Sequence, residues 1–366
     1  MTELFKSEIV EQAMLRTKYE KGTFIDLKPL LGYANWCMFY FILGAAQAGK
    51  SYAVLDFYLS QYKKDGTIFY WIRRTERQSR QLLNNNAEKL IDPDLRRKYK
   101  LDLVTSGTNV YEVVKRSKPD KQGKTKILEK RLMARVLALS TFYADKGSGY
   151  FDKDYAGWYN IIVDEFQPEA NEKNTFDLTY AFVRQMENLV RNTSHKVRIF
   201  LLANLLEEAS DLLCCFNFIP EQWGMYKLKS KRAVIWYVKP TAGYQEMRKG
   251  SIANLLLPNS SMYSNKQDTD YTLISKEKLV YPRMIIKFMK DPEKWFTIWN
   301  NNLIAPYNHE KCKTVIAMRP YLDELFNTDQ VNGIISMFDT RSFLFRNLIT
   351  FKKFQSELEL LKPRGK

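Results

Sequence analysis

The chain has 366 residues, 45% hydrophobic and 14% aromatic, which is enough apolar surface for a full core and for two domains and excludes a disordered chain. Its 57 Lys and Arg against 41 Asp and Glu leave a net charge of +16, a balance that suits a polyanion such as nucleic acid, an anionic membrane surface, or simply a soluble basic surface. No stretch reaches the roughly 20 apolar residues of a membrane span, and the opening MTELFKSEIVEQ lacks the basic and apolar parts of a secretory leader, so a cytosolic protein is expected. Cys37, Cys214, Cys215 and Cys312 show no CxxC spacing and only two histidines accompany them, so neither a disulfide framework nor a zinc site is expected.

Trp36 to Leu43 reads as a buried strand and Ser51 to Tyr62 as a helix, with Gly44-Ala45-Ala46-Gln47-Ala48-Gly49-Lys50-Ser51 between them. This spacing fits GxxxxGK(S/T). Its small residues let backbone N–H groups wrap the phosphates of ATP, Lys50 reaches the β/γ oxygens, and Ser51 ligates Mg2+. Tyr52, in the first helical turn, joins the candidate ATP contacts. An ordinary strand-to-helix turn is the alternative. Thr67 to Ile72 predicts a second strand that runs into Arg73-Arg74, and Thr75 with Gln78 has capping-box spacing, which predicts a helix start. Strand ends are where nucleotide-binding sheets hold ligands, so Arg73 is a candidate ATP contact and Arg74 and Arg77 are candidate DNA contacts. A solvated helix start explains the same cluster.

Val110 to Val114 and Leu132 to Leu139 predict a β-hairpin whose connecting stretch, Lys115 to Arg131, holds eight basic residues against two acids. Lys121, Lys124 and Lys126 at its tip are candidate phosphate-backbone contacts, the alternative being a solubilising loop. Tyr159 to Phe166 is an apolar strand ending in Asp164-Glu165 and reads as Walker B: Asp164 holds Mg2+ and Glu165 activates the attacking water. The loop Ser140 to Gly149 offers one cation, Lys146. A helix from Phe176 to Arg191 follows, and then a buried strand from Lys196 to Ala203. Asn204 at its end is placed to sense the γ-phosphate or to cap a helix over Leu205 to Leu213.

These elements predict an α/β fold: a P-loop ATPase domain with a largely parallel sheet over residues 1–206, a helical linker over 207–235, and a smaller α+β domain over 236–366. The last is expected to contain strands Ala233 to Val238, Tyr281 to Met289, Trp295 to Trp299 and Thr314 to Met318, and helices Tyr321 to Asn327 and Arg341 to Leu361. There is no internal repeat.

The ordered set ILGAAQAGKSYA, FYWIRR, IIVDEF, MENLVRN and IFLLAN, covering roughly residues 36 to 206, resembles the DNA-packaging ATPases of small podophages, relatives of the tailed-phage large terminases. The resemblance implies an ASCE-type ATPase working as a homomeric ring, expected as a pentamer, that docks on the portal of a procapsid and drives double-stranded DNA inward with ATP and Mg2+. It implies action in the host cytoplasm, transiently at the portal vertex and not in the mature virion, with a packaging RNA as a further candidate partner and no membrane. It also implies that Arg191 acts in trans on the ATP of the neighbouring subunit, with Lys146 a less secure second cation. The hairpin tip is longer than the family pattern, so its DNA role comes from charge alone. The second domain resembles a vestigial RNase H-like nuclease: its strand Lys294 to Trp299 holds no acid, and Asp268, Asp270, Asp291, Glu293 and Glu310 fall in loop-like segments, so cleavage is not expected. A helicase-like or conjugative translocase, and a non-enzymatic nucleic-acid-binding assembly protein, are the competing readings.

Overall fold

The computed structural model describes residues 24–120, 122, 124–145, 157–167, 176–190, 196–204, 210–220, 222–252, 255, 273–322 and 326–361. The chain divides into two units, residues 1–206 with 220–267, and residues 207–219 with 268–366.

The first unit is built on a nine-stranded sheet with the order β3-β4-β5-β2-β6-β7-β1-β9-β8. Its strands are β1 Phe39–Leu43, β2 Phe69–Arg73, β3 Leu103–Ser106, β4 Asn109–Arg116, β5 Ile127–Ala138, β6 Trp158–Asp164, β7 Lys196–Ala203, β8 Gly224–Leu228 and β9 Ala233–Tyr237. The six strands from β5 to β9 in spatial order run parallel, and β3, β4 and β8 are antiparallel additions at the two edges. Continuous apolar runs such as FYFIL and AVIWY are the signature of parallel strands covered on both faces, and both are almost wholly buried.

A short helix α1, Lys28–Leu31, precedes β1, and helix α2, Lys50–Asp65, buries Val54, Leu55, Tyr58, Leu59 and Tyr62, one stripe at helical spacing. Gly66, with φ 78°, closes it through an N–H bond to the Tyr62 carbonyl, a conformation a side chain would strain. The Tyr58 hydroxyl lies 3.2 Å from the carbonyls of both Ile161 and Arg198, which ties α2 to β6 and β7. Helix α3, Glu76–Ala87, opens with the expected reciprocal Thr75/Gln78 capping box and is interrupted by non-helical backbone at Asn84–Asn86. Helix α4, Pro93–Tyr99, is capped by Asp92, helix α5, Leu178–Leu189, by Asp177, and the short helix α6 of the second unit, Asp211–Cys215, by Ser210. The predicted helix Phe176 to Arg191 is therefore shorter among the described residues, because Asp177 takes the cap and Val190 leaves helical geometry.

Three sequence expectations need correction. Strand β9, placed at the junction of linker and second domain, is the parallel neighbour of β1 in the large sheet, with Phe39 opposite Ala233 and Leu43 opposite Tyr237. Residues 220–267 therefore belong with the first unit, while residues 207–219 cluster with the second. The helix expected over Tyr321 to Asn327 is absent at its described ends: Phe326 makes a strand bridge to Ala317, and Asn327 instead caps a helix over Thr328–Asp339. The helix expected over Arg341 to Leu361 is broken by strand Leu344–Phe345 and starts only at Leu348, under the cap of Asn347. Local periodicity ran across this break because its apolar residues pack in either conformation.

The second unit has a five-stranded sheet over β10 Pro282–Lys287, β11 Trp295–Trp299, β12 Leu303–Pro306, β13 Thr314–Ala317 and β14 Leu344–Phe345, in the order β13-β10-β11-β12-β14. Strands β10, β11 and β12 form an antiparallel meander, and β13 runs parallel to β10. The fully buried Phe354, on the helix Leu348–Glu359, has ring contacts with Phe288, Phe296, Phe343 and Phe345 at 5.2 to 6.0 Å. This aromatic cluster is the core of the unit.

Candidate functional site

The register of the central strands gathers the predicted chemistry. β7 lies between β1 and β6, with Leu43 opposite Ala203 and Asp164 opposite Leu202. The loop after β1, the acids ending β6 and Asn204 after β7 therefore emerge at one edge of the sheet, the carboxyl end where open parallel sheets hold ligands. There they wall a cleft of about 290 Å3 formed by residues 46–52, Asp164, Glu165 and residues 202–204.

The loop reverses direction through two left-handed residues, Gln47 at φ 62° and Gly49 at φ 84°. Gly49 also admits close packing, since a Cβ there would lie 3.1 Å from the Cβ of Phe24. Lys50 begins α2 and folds back over the loop, its Nζ donating to the carbonyls of Gly44 at 3.0 Å and Ala45 at 2.7 Å and to Asn204 Oδ1 at 2.8 Å. Burial lowers its pKa to about 8, against the raising influence of Asp164 and Glu165. Ser51 Oγ donates to Asp164 Oδ1 at 3.1 Å. Tyr52, partly exposed, lies on the cleft wall.

Asp164 is buried, and desolvation raises its pKa while the Arg73 guanidinium opposes that shift. Arg73, at the end of β2, spans both acids: Nη2 lies 3.0 Å from Asp164 Oδ2 and Nη1 pairs with Glu165 Oε2. It thus joins the two acids that line the cleft, without itself being among the lining residues. Glu165 takes the left-handed conformation at φ 52°, costly for a residue with a Cβ, and its carboxylate is half exposed.

Arg74 departs from the exposed position that a DNA contact requires. It is 2% exposed, and so cannot reach a DNA backbone in this conformation, whereas Arg77 lies on the exposed face of α3. The predicted hairpin is present, β4 pairing antiparallel with β5 and closing through Ser117 N–H to the Lys126 carbonyl and Asp120 N–H to the Lys124 carbonyl. Lys124 and Lys126 are exposed on it. Lys121, Lys146 and Arg191 lie outside the described residues, as does the stretch 205–209 on which the capping alternative for Asn204 depends.

Two residues missed from the sequence reach the same loop. From helix α7, Ala242–Lys249, the Tyr244 hydroxyl donates to the Ala46 carbonyl at 2.7 Å and Arg248 Nη1 donates to Gln47 Oε1 at 2.7 Å. No local pattern marks them, because the contact spans about 200 residues of chain.

No family model matches the chain. Over 206 residues it is 23% identical to the DNA packaging proteins of Bacillus phages phi29 and PZA, a stretch covering 55% of this chain and 52% of theirs. The relatives are phage DNA packaging proteins. The chain spans about half the length of these curated relatives. Among solved structures, the phi29 viral genome packaging motor assembly superposes with a TM-score of 0.61 at 18% identity, covering 93% of this chain and 99% of the other. The Phi-28 gp11 DNA packaging motor gives 0.64 at 14% identity, covering 94% and 99%. The mixed α/β fold with its parallel sheet is therefore shared with packaging-motor proteins along nearly the whole chain.

Proposed function

We propose that the chain is an ATPase that works as a homomeric ring, expected as a pentamer, and drives double-stranded DNA through a portal into a procapsid. The observation that carries this reading is the meeting of Lys50, Ser51, Asp164, Glu165 and Asn204 in one cleft at the end of a parallel sheet, in a chain whose relatives are DNA packaging proteins.

The loop 44–51 then serves as the phosphate loop, its backbone N–H groups and the start of α2 facing the triphosphate. Lys50 exchanges the carbonyls of Gly44 and Ala45 for phosphate oxygens. The hydroxyl of Ser51 beside the carboxylate of Asp164 is a hard-oxygen donor set that fits Mg2+. Bound there with the nucleotide, Mg2+ would neutralise charge on the triphosphate. Glu165 orients the attacking water and takes its proton, and Arg73 fixes the carboxylates of both acids. Asn204, bonded to Lys50, stands where loss of the γ-phosphate is felt. Arg191, with Lys146 as a second cation, is assigned to the ATP of the neighbouring subunit, so that hydrolysis waits on closure of the ring.

For the second unit, the meander β10-β11-β12 with β13 parallel to β10 supports the RNase H-like reading. Three of its described acids have structural partners: Thr297 Oγ1 and Asn308 N–H donate to Glu310, Asp291 caps a short turn, and Glu357 pairs with Lys294, while Asp268 and Asp270 lie outside the described residues. We assign this unit to portal docking and DNA contact, without cleavage.

The test is ATP hydrolysis by the purified chain with and without double-stranded DNA, across protein concentration. Turnover that rises steeply with both is the expected result. Turnover indifferent to both overturns the ring motor, and strand separation or preference for single strands replaces it with a helicase-like translocase.

A further inference from the structure

A loop that binds phosphate through its backbone has a geometric obligation. Its N–H groups must face the anion, so its carbonyls must turn outward, and buried outward carbonyls need donors of their own. The structure shows where these donors come from. The Ile25 N–H takes the carbonyl of Ala48 at 3.3 Å and the Tyr244 hydroxyl takes that of Ala46 at 2.7 Å, whereas Lys50 Nζ, which the nucleotide would claim, holds those of Gly44 and Ala45 only until phosphate replaces them. Arg248 holds the side chain of the next residue, Gln47, which carries the left-handed φ of 62°.

We infer that Tyr244 and Arg248 are positioning residues for nucleotide binding: from outside the loop, they lock the Ala46–Gln47 peptide with its N–H toward the cleft. The inference rests on the ATPase reading of the site. Rotation of that one peptide would turn the Ala46 carbonyl toward the phosphates and replace an attraction with a repulsion. The lock is itself well supported. Tyr244 is 2% exposed, its N–H bonds to Thr241 Oγ1, and the strand before α7 is fastened to the strand before the loop by the Val238 N–H to the Leu43 carbonyl at 2.8 Å.

The lock also has a direction. Helix α7 lies between the last parallel strand of the large sheet and the crossing of the chain into the second unit at Asp268. Because the nucleotide and α7 stabilise the same loop conformation, occupancy of the cleft and docking of α7 favour one another reciprocally. Helix α7, within the 220–267 stretch of the first unit, is thereby coupled to nucleotide occupancy.

The experiment uses the full-length protein and a fluorescent ATP analogue with Mg2+. Tyr244→Phe removes only the hydroxyl and is expected to weaken nucleotide affinity roughly three- to tenfold, the worth of one hydrogen bond, while the melting temperature without nucleotide falls by only a few degrees. Arg248→Met is expected to weaken it comparably and Arg248→Lys to restore most of it, with KM carrying the loss and kcat little changed. In the wild-type chain, added nucleotide should slow amide hydrogen exchange within residues 241–250. If the wild-type chain binds nucleotide and both Tyr244→Phe and Arg248→Met bind it equally well, the lock is overturned and the ATPase reading stands. If the wild-type chain binds no nucleotide, the ATPase reading falls and takes the lock with it.

Discussion

Glu165 is held by an opposed pair of influences: a strained left-handed backbone at φ 52° and a guanidinium partner, Arg73, that also grips Asp164. A residue kept in such a conformation needs neighbours that over-determine it, and these are supplied by the β6 strand end on one side and Arg73 on the other. Glu165→Gln keeps the shape and removes the proposed base. ATP hydrolysis should fall by about 10^2 to 10^4, with nucleotide affinity within about twofold of wild type, as read by steady-state turnover alongside a binding titration. Retained hydrolysis would take the base role from Glu165. At this scale Lys50, Ser51, Asp164 and Glu165 were legible in the sequence, since each sits at the end of an apolar run whose length fixes where the chain emerges. The partner of Arg73 was not. From spacing alone the arginine could face nucleotide or solvent, and only the parallel pairing of β2 with β6 sets it against the two acids.

Among elements, the β4–β5 hairpin departs most from the compact sheet. Its proximal half is buried, whereas Ile127 to Arg131 of β5 are exposed, and Val114, Ile127 and Leu128 present apolar surface beside the lysines. Not every basic residue there is available: Arg116 bonds to both carboxylate oxygens of Asp102, and Lys130 lies over the Tyr111 ring. Lys124 and Lys126, with Lys121, remain the candidates for phosphate. Replacing all three with Gln should flatten the dependence of log affinity on log salt for double-stranded DNA by up to about 3, measured by titration at several salt concentrations. An unchanged slope returns the tip to a solubilising role. The hairpin was legible because period-2 strands flank a charged tip. The break between the last two elements of the chain was not, because residues 341–347 carry the apolar content of a helix, and pairing of Leu344–Phe345 with β12 decides otherwise.

At the scale of the whole molecule, the proposed ring makes a prediction that no single chain could satisfy. Arg191→Ala and Glu165→Gln should each abolish turnover, and mixing the two variants should recover part of it. Where an Arg191→Ala subunit with its own Glu165 meets a neighbour that still carries Arg191, one complete site forms. Mixtures as inactive as either variant alone would place Arg191 in its own subunit's site or outside catalysis. The sequence by itself determined the local chemistry: a loop of small residues ending in Lys50 and Ser51, acids at the end of a buried strand, and an α/β alternation that implies a parallel sheet. These are legible because strand length, turn residues and helix caps act over a few residues of chain. Tertiary structure alone decided that β9 belongs beside β1, that residues 220–267 complete the first unit, that Arg74 is buried, and that Tyr244 and Arg248 hold the loop from about 200 residues away. Parallel strands pair across any length of intervening chain, so their order is set by which faces bury best together, and no periodicity within a segment records it.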